Sequence, residues 1–172
     1  DAARAGLRQS LFERMIKLGI SPIRLQTQYR MHPELSIFSS ETFYEGGLQN
    51  GVSSLQRKDN TLDFPWPNPA KPLLFWHVIG KEELSASGTS YINKVEADIV
   101  KRVLETLYQA GLERGKACVI TPYKGQRIYL KTLISHQLSA ENDFYESIEI
   151  NSIDSFQGRE KDYVIISAVR SS

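Results

Sequence analysis

Apolar residues recur at helical spacing in several stretches of this chain. The clearest stretch follows Asn93, which forms a helix-capping pattern with Glu96, and it ends at Gly111. One face of this stretch carries Ala97, Val100, Leu104 and Leu107. Spacings of three and four residues predict an amphipathic helix whose apolar face packs in a core.

Weaker patterns predict three further helices. One begins after Ser10, and another covers Thr121–Ile134. The third covers Pro33–Tyr44, because proline suits the first turn of a helix. We expect Leu35 and Phe38 to face inward on this third helix.

Short runs of apolar residues predict the strands of a sheet. The predicted strands are Ile23–Leu25, Leu73–Val78, Val119–Ile120, Ile148–Ile150 and Val164–Val169. Several of these runs are apolar throughout, which is typical of strands buried on both faces. Because strands alternate with helices, the predicted fold is α/β, with a parallel sheet and helices on both faces.

Polar segments follow some of these strands. They are Gln28–Arg30, Thr121–Tyr123 and Asp154–Glu160. Parallel α/β sheets bind ligands beyond the carboxyl ends of their strands. The last segment is a turn that presents Gln157, Arg159 and Glu160 together, and Gly158 allows the backbone to approach a ligand closely. These residues suit a nucleotide or a nucleic-acid strand better than a hydrophobic ligand.

Composition narrows the classes of function. The formal net charge of +1 over 172 residues provides no global basic field, so any contact with nucleic acid must be local. We expect the single cysteine, Cys118, to be inert in the core, because it lies in an apolar run. The three histidines lack ligand spacing, so no metal site is predicted. No apolar run is long enough for a membrane span.

Residues 46–72 lack clear periodicity and are rich in turn-forming residues. We expect a long loop or insertion there. Structureless segments of this length are often functional, and the alternative is a surface insertion that packs Trp66 onto the body of the domain. The chain begins without methionine and ends just after a strand. We therefore expect it to be a piece of a longer protein.

Three segments carry a family resemblance, in the order Gln28–Pro33, Val119–Gln126 and Asp154–Asp162. They resemble motifs in the second RecA-like domain of superfamily 1 helicases, and specifically of the up-frameshift-like subgroup. A closer resemblance, to the RNA helicases of that subgroup that act in nonsense-mediated mRNA decay, lies in Pro22–Leu25, Phe43–Gly46 with Leu48–Val52, and Ser87–Tyr91. The resemblance implies a RecA-like P-loop NTPase fold. It makes residues 1–172 a second RecA-like helicase domain that is incomplete at its C-terminal end.

The resemblance also implies how this domain contacts ATP. Tyr29 matches the tyrosine that stacks on adenine, and Arg30 matches the catalytic arginine finger that reaches the γ-phosphate. Glu160 matches the glutamate that binds the ribose hydroxyls. The other expected nucleotide contacts are Gln28, Gly158 and Arg159. Each of these three roles has a purely structural alternative. Tyr29 could be a packed loop side chain, and Arg30 and Glu160 could form ion pairs.

The expected contacts with nucleic acid lie in two other segments. Thr121, Pro122 and Tyr123 match the family segment that faces the nucleic-acid backbone. A helix N-terminus there would offer amides to a phosphate, and a plain helix cap is the alternative. Gln157 matches a residue where the family couples nucleotide to the bound strand.

The chain lacks both a phosphate loop and the acidic motif that holds magnesium. The resemblance therefore implies that the Mg²⁺ accompanying ATP is held by the first RecA-like domain of the same protein. We expect this piece alone to bind ATP weakly and not to hydrolyse it.

The resemblance implies that this domain is part of a full-length ATP-dependent RNA helicase, which translocates on single-stranded RNA in nonsense-mediated mRNA decay. The expected partners are single-stranded RNA, the first RecA-like domain and decay-factor proteins, with no membrane. The expected location is the cytoplasm, with the nucleus as a second site. Two alternatives stay open. One is a related helicase for DNA or RNA–DNA hybrids, and the other is a non-catalytic RecA-fold module that binds partners through the Pro65–Pro67 region.

Overall fold

The computed structural model describes residue 4 and residues 6–58, 62–137 and 143–170. The chain divides into two units, residues 1–58 and residues 59–172. We call these the N-terminal unit and the sheet unit. Within the described residues, no helix is both long and apolar enough to cross a lipid bilayer.

The N-terminal unit is built from short elements. They are α1 (Leu11–Lys17), β1 (Thr27–Gln28), α2 (Pro33–Phe43), β2 (Gln49–Asn50) and one 3₁₀ turn (Leu55–Arg57). β1 and β2 pair in parallel, with Thr27 opposite Gln49 and Gln28 opposite Asn50. This pairing joins two segments that are distant in sequence and gives the unit its only β ladder among the described residues.

The predicted helix starting at Pro33 is confirmed as α2, but its predicted buried face is wrong. Leu35 and Phe38 were expected inward, and both are exposed, Phe38 by 70%. The buried side chains of the helix are instead Ser36 and Ser40. A helix buries its apolar face only against another element, and the strands of this unit are two residues long.

The sheet unit contains a parallel sheet and a hairpin. Its elements are β3 (Glu83–Leu84), β4 (Tyr91–Ile92), α3 (Lys94–Gln109), β5 (Ala117–Ile120), α4 (Lys124–Gln137), α5 (Asp143–Glu146), β6 (Glu149–Asn151), α6 (Ile153–Phe156) and β7 (Tyr163–Ile166). The sheet has the order β6-β5-β7, and both pairings are parallel. Cys118 of β5 lies opposite Glu149 on one side and Val164 on the other. The predicted α/β fold with a parallel sheet is confirmed.

The core of the sheet unit is formed mainly by α3, α4, α5, β5 and β6. All four residues predicted on the inner face of α3 are buried. Leu104 of α3 and Leu130 of α4 are fully buried. Cys118 is buried as well, and this burial raises the pKa of its thiol to about 11. It therefore remains protonated at neutral pH, which agrees with the inert role predicted for it.

Two of the predicted strands do not form. Ile23–Leu25 has no strand, and the paired strand of that region is β1, which follows it. Leu73–Val78 has none either, and Phe75 is 84% exposed. A strand needs a partner for its backbone hydrogen bonds, and among the described residues neither run has a paired strand. The strand predicted at Val164–Val169 is shorter than expected, because β7 ends at Ile166.

The range 46–72 has different surroundings at its two ends. Its first part contains β2 and the 3₁₀ turn and belongs to the N-terminal unit. Residues 62–72, in the sheet unit, have no helix or strand. Phe64 is nevertheless buried, and Trp66 packs against the core with its ring centroid 4.7 Å from that of Phe64. Aromatic packing therefore anchors this irregular segment to its own unit.

Candidate nucleotide and nucleic-acid site

In the N-terminal unit, a braced turn directly follows β1 and carries Tyr29 and Arg30. The side chain of Gln28 closes this turn: its Oε1 accepts the Met31 N–H at 2.7 Å, and its Nε2 donates to the Met31 carbonyl at 2.9 Å. The same Nε2 donates to Asn50 Oδ1 at 2.5 Å. Gln28, expected to contact nucleotide, is thus engaged in holding the turn that presents the next two residues.

Tyr29 and Arg30 are both exposed at this turn. The carbonyl of Tyr29 accepts a hydrogen bond from the guanidinium of Arg57, in the 3₁₀ turn. Its ring lies against Gly51, which follows β2. An exposed tyrosine followed in the chain by an exposed arginine can offer stacking to a base and positive charge to a phosphate.

In the sheet unit, the loop after α6 carries the second group of expected nucleotide residues. Ser152 and Ser155 form a capping box that starts α6, and Gln157 ends the helix. Gly158 then adopts a φ of +80°, in the left-handed region that favours glycine. This change of direction exposes Gln157, Arg159 and Glu160 to solvent.

Arg159 is held by neighbours in its own unit. Its guanidinium lies 2.6 Å from the Glu149 carboxylate, and it stacks over the Phe156 ring at 5.6 Å. Lys161 Nζ binds the other oxygen of Glu149 at 2.9 Å. The hydrogen bond from Lys161, followed by the charges of both cations, holds the pKa of Glu149 below its ordinary value. Glu149 and Lys161 thus fix the base of the loop, and the motif-based interpretation missed both.

The segment after β5 contains the residues expected to face nucleic acid. Thr121 is fully buried, and its hydroxyl accepts the Tyr123 N–H at 3.4 Å. Pro122 is exposed, and Tyr123 is half-buried with its ring edge-on to that of Tyr91, 6.0 Å away. Thr121 therefore shapes the turn, and Pro122 and Tyr123 are its accessible members.

The helix that follows begins later than predicted. α4 starts at Lys124 instead of Thr121, because the Thr121 side chain closes a turn ahead of it. The Gly125 N–H in its first turn donates to Ser90 Oγ at 2.9 Å. At least one amide of the helix N-terminus is therefore already satisfied by the chain itself, and the helix is tied to the end of the β3–β4 hairpin.

A buried polar network lies beneath this segment. Gln126 Oε1 accepts the Asn93 N–H at 2.9 Å, and Gln126 Nε2 donates to the Asn93 carbonyl and to Ser167 Oγ, each at 3.1 Å. Asn93 caps α3 by accepting the Glu96 N–H, and Glu96 Oε2 accepts the Val169 N–H at 2.8 Å. The network joins α3, α4 and the chain after β7. Gln126 stands four residues before buried Leu130 on one helical face, and this spacing was the available signal for its burial.

Two of the predicted segments start side by side. The Thr121 N–H donates to the Asn151 carbonyl at 3.1 Å, so the chain leaves β5 and β6 at the same edge of the sheet. Thr121–Tyr123 leaves this edge directly after β5, and the loop Gln157–Glu160 comes after β6 and α6. Both segments therefore lie beyond the carboxyl ends of the strands, as expected for a parallel sheet. Gln28–Arg30 belongs to the N-terminal unit.

The chain belongs to a protein family with the description AAA domain, and the family's sequence model matches residues 7–172. Its α/β fold with a parallel sheet is the RecA-like P-loop NTPase fold expected from the sequence.

Similarity to individual proteins is more specific. The chain is 54% identical over 171 residues to the regulator of nonsense transcripts 1 homolog of Arabidopsis thaliana. It is 52% identical to regulator of nonsense transcripts 1 of Caenorhabditis elegans and 50% identical to the ATP-dependent helicase NAM7 of Saccharomyces cerevisiae. Each alignment covers 99% of this chain but only 14%, 16% and 18% of the respective relative. The resemblance to up-frameshift-like helicases drawn from the motifs is confirmed, and the chain spans less than a fifth of these curated relatives.

Proposed function

We propose that this chain is the second RecA-like motor domain of an ATP-dependent RNA helicase that acts in nonsense-mediated mRNA decay. The observation that carries the proposal is the 50% identity, across 99% of the chain, to a protein named as an ATP-dependent helicase. The exposed Tyr29–Arg30 pair on its braced turn supports it, because these are the side chains a nucleotide would require.

In this proposal, three residues complete a nucleotide site whose phosphate loop lies in the first RecA-like domain. Tyr29 stacks on the adenine, and Glu160 accepts hydrogen bonds from the ribose hydroxyls. Arg30 stabilises the negative charge that develops on the γ-phosphoryl group as ATP is cleaved. Phosphoryl transfer depends mainly on positioning and charge, so exposed side chains on fixed turns are suitable contributors.

Magnesium belongs to the other half of the motor in this proposal. The part of the chain that the structure describes contains no group of three or more His, Cys, Asp or Glu side chains arranged for a metal ion. Mg²⁺, when bound with ATP, neutralises phosphate charge, and we assign its ligands to the first RecA-like domain. The isolated 172-residue chain is therefore expected to bind ATP weakly and to show no turnover.

The RNA track is proposed to pass over Pro122, Tyr123 and Gln157, with Thr121 setting the shape of the turn. Such contacts read the phosphate backbone and the faces of bases, so binding should be salt-dependent and tolerant of sequence. Opening and closing of the two RecA-like domains would then shift this track along the strand. The decay-factor proteins are proposed to bind the full-length protein, in the cytoplasm and secondarily in the nucleus. A related substrate, DNA or an RNA–DNA hybrid, is the alternative.

The test is ATP turnover by the full-length protein, with and without single-stranded RNA, in wild type and in Arg30→Ala. We expect RNA-stimulated turnover to fall by about 10³-fold or more, with nucleotide binding retained. Arg114→Ala is the matched control, because that exposed arginine is not among the expected nucleotide or nucleic-acid contacts and pairs with Asp143 at 3.0 Å, and we expect a far smaller loss. Stimulated turnover unchanged in Arg30→Ala would reduce Arg30 to a structural residue. No turnover in wild type would favour the non-catalytic module.

A further inference from the structure

We infer that Gly51 is a positioning residue for nucleotide binding, because its missing side chain leaves the space that the Tyr29 ring occupies. The inference rests on the proposed stacking role of Tyr29. A Cβ atom at Gly51 would lie 2.1 Å from Cε1, 2.5 Å from Cδ1 and 2.7 Å from Cζ of Tyr29. Real Cβ atoms essentially never approach other atoms within 3.0 Å. The ring in this position and any side chain at residue 51 therefore exclude each other.

The backbone of Gly51 is a fixed support for this ring. Its N–H donates to the Gln28 carbonyl at 2.9 Å, which extends the β1–β2 ladder by one bond. Asn50, just before it, accepts hydrogen bonds through Oδ1 from Gln28 Nε2 at 2.5 Å and from Ser36 Oγ at 2.8 Å. β1, which leads into Tyr29, and β2, which leads into Gly51, are therefore held together by backbone and side-chain hydrogen bonds.

The same segment also holds the main chain of Tyr29. Arg57 donates to the Tyr29 carbonyl, so ring and carbonyl are both restrained by residues 51–57. Tyr29 is nevertheless 62% exposed as a residue, so it stays accessible to a base. A ring that is already oriented loses less conformational freedom when a base stacks on it, and this strengthens binding.

The structure separates this role from a role in folding. Gly51 is not among the residues with a left-handed φ, so its φ does not require glycine. The three nearest atoms to the added Cβ all belong to the Tyr29 side chain. Because that side chain is exposed, it can rotate away, and Gly51→Ala should displace the ring without unfolding the unit.

The experiment measures RNA-stimulated ATP turnover by the full-length protein. We expect Gly51→Ala to raise the KM for ATP by about ten-fold, the size of a lost base–aromatic stack, with kcat and thermal stability little changed. Gly47→Ala, on the other side of β2, is the matched control, because its added Cβ meets only the Tyr44 carbonyl oxygen, at 3.1 Å, and not Tyr29. We expect its KM to stay at the wild-type value.

A double-mutant cycle provides the decisive readout. If Gly51 acts through Tyr29, then Gly51→Ala should add nothing to the KM increase in a Tyr29→Ala background. Additive effects, or a Gly51→Ala variant with normal KM beside a defective Tyr29→Ala, would overturn the inference and leave the proposed function standing. A normal KM in Tyr29→Ala would instead remove the stacking role in the proposed function. A loss of thermal stability in Gly51→Ala that accounts for its KM would mark Gly51 as a folding residue and also overturn the inference.

Discussion

Helices α2 and α3 both form where predicted, but only α3 buries the apolar face expected of it. Pro33 in the first turn indicated α2, whereas the cap at Asn93 and a regular apolar spacing indicated α3. α3, in the sheet unit, buries the whole predicted face against a core that includes β5 and α4. α2, in the N-terminal unit, leaves Leu35 and Phe38 exposed. Local sequence signals therefore predict that a helix forms. Burial of its apolar side chains depends on whether the unit supplies an apolar surface for them to pack against.

The two units also use their buried groups differently. In the N-terminal unit, the buried side chains of α2 are serines, and one of them, Ser36, braces the strand next to the Tyr29 turn. In the sheet unit, aliphatic and aromatic side chains fill the core. The first arrangement holds the exposed candidate residues Tyr29 and Arg30 in position, and we expect apolar burial in the second to contribute more to stability. Three substitutions test this contrast.

The largest expected effect on stability comes from the core of the sheet unit. Leu104→Ala should lower the free energy of unfolding by about 2–5 kcal/mol, because it opens a cavity at a fully buried site. Phe38→Ala, a larger truncation on exposed α2, should change it by no more than about 0.5 kcal/mol. Urea unfolding of the 172-residue chain, followed by circular dichroism, measures both. Similar losses in the two variants would contradict the contrast between the units.

A smaller loss is expected from the buried polar network. Gln126→Leu leaves the buried Asn93 N–H and carbonyl without their partner, so we expect a cost of about 1–3 kcal/mol. Gln109→Leu, at the exposed end of α3, is the matched control and should be nearly neutral. The same urea experiment compares them. A neutral Gln126→Leu would show that apolar packing alone holds α3, α4 and the chain after β7 together.

The smallest effect is a change in the pH dependence of stability. The pKa of Glu149 is lowered in the folded state, chiefly by the Lys161 hydrogen bond, so folding favours the ionised carboxylate. This contribution is present above the unfolded value of 4.5 and is lost as the pH falls through the lower folded pKa. Glu149→Gln should therefore flatten the acid side of the stability profile. Urea unfolding at a series of pH values measures this effect, and an acid side as steep as in wild type would contradict it.

Some helices and strands could be predicted from the sequence alone. Others depend on the pairing of one strand with another, which no local sequence pattern indicates. The spacing of Leu104 and Leu107 was sufficient for α3, and apolar runs located β5 and β7. Apolar character alone failed for Leu73–Val78, because a strand also needs a hydrogen-bonding neighbour. β2 was missed for the opposite reason, since Gln49 and Asn50 are polar and their register comes only from β1.

The candidate site shows the same division. Motifs identified Tyr29, Arg30 and Glu160 as an expected set, and their roles stay predictions. Contacts between residues distant in sequence were not visible: the Arg159–Glu149 ion pair, and the packing of Tyr29 on Gly51. A motif lists the side chains that meet a ligand, whereas the neighbours that orient them are selected by the fold.

The burial of Cys118 has a practical consequence for spectroscopy. It is the single cysteine of these 172 residues, and it lies inside β5 as a shielded, protonated thiol. Maleimide dyes react with accessible thiolates, so we expect them not to label Cys118. They should label a cysteine introduced at a surface position, such as Phe38→Cys. In the full-length helicase proposed above, a second dye on the proposed first RecA-like domain would then test by energy transfer whether the two domains open and close during turnover, with the native thiol of this chain left in place.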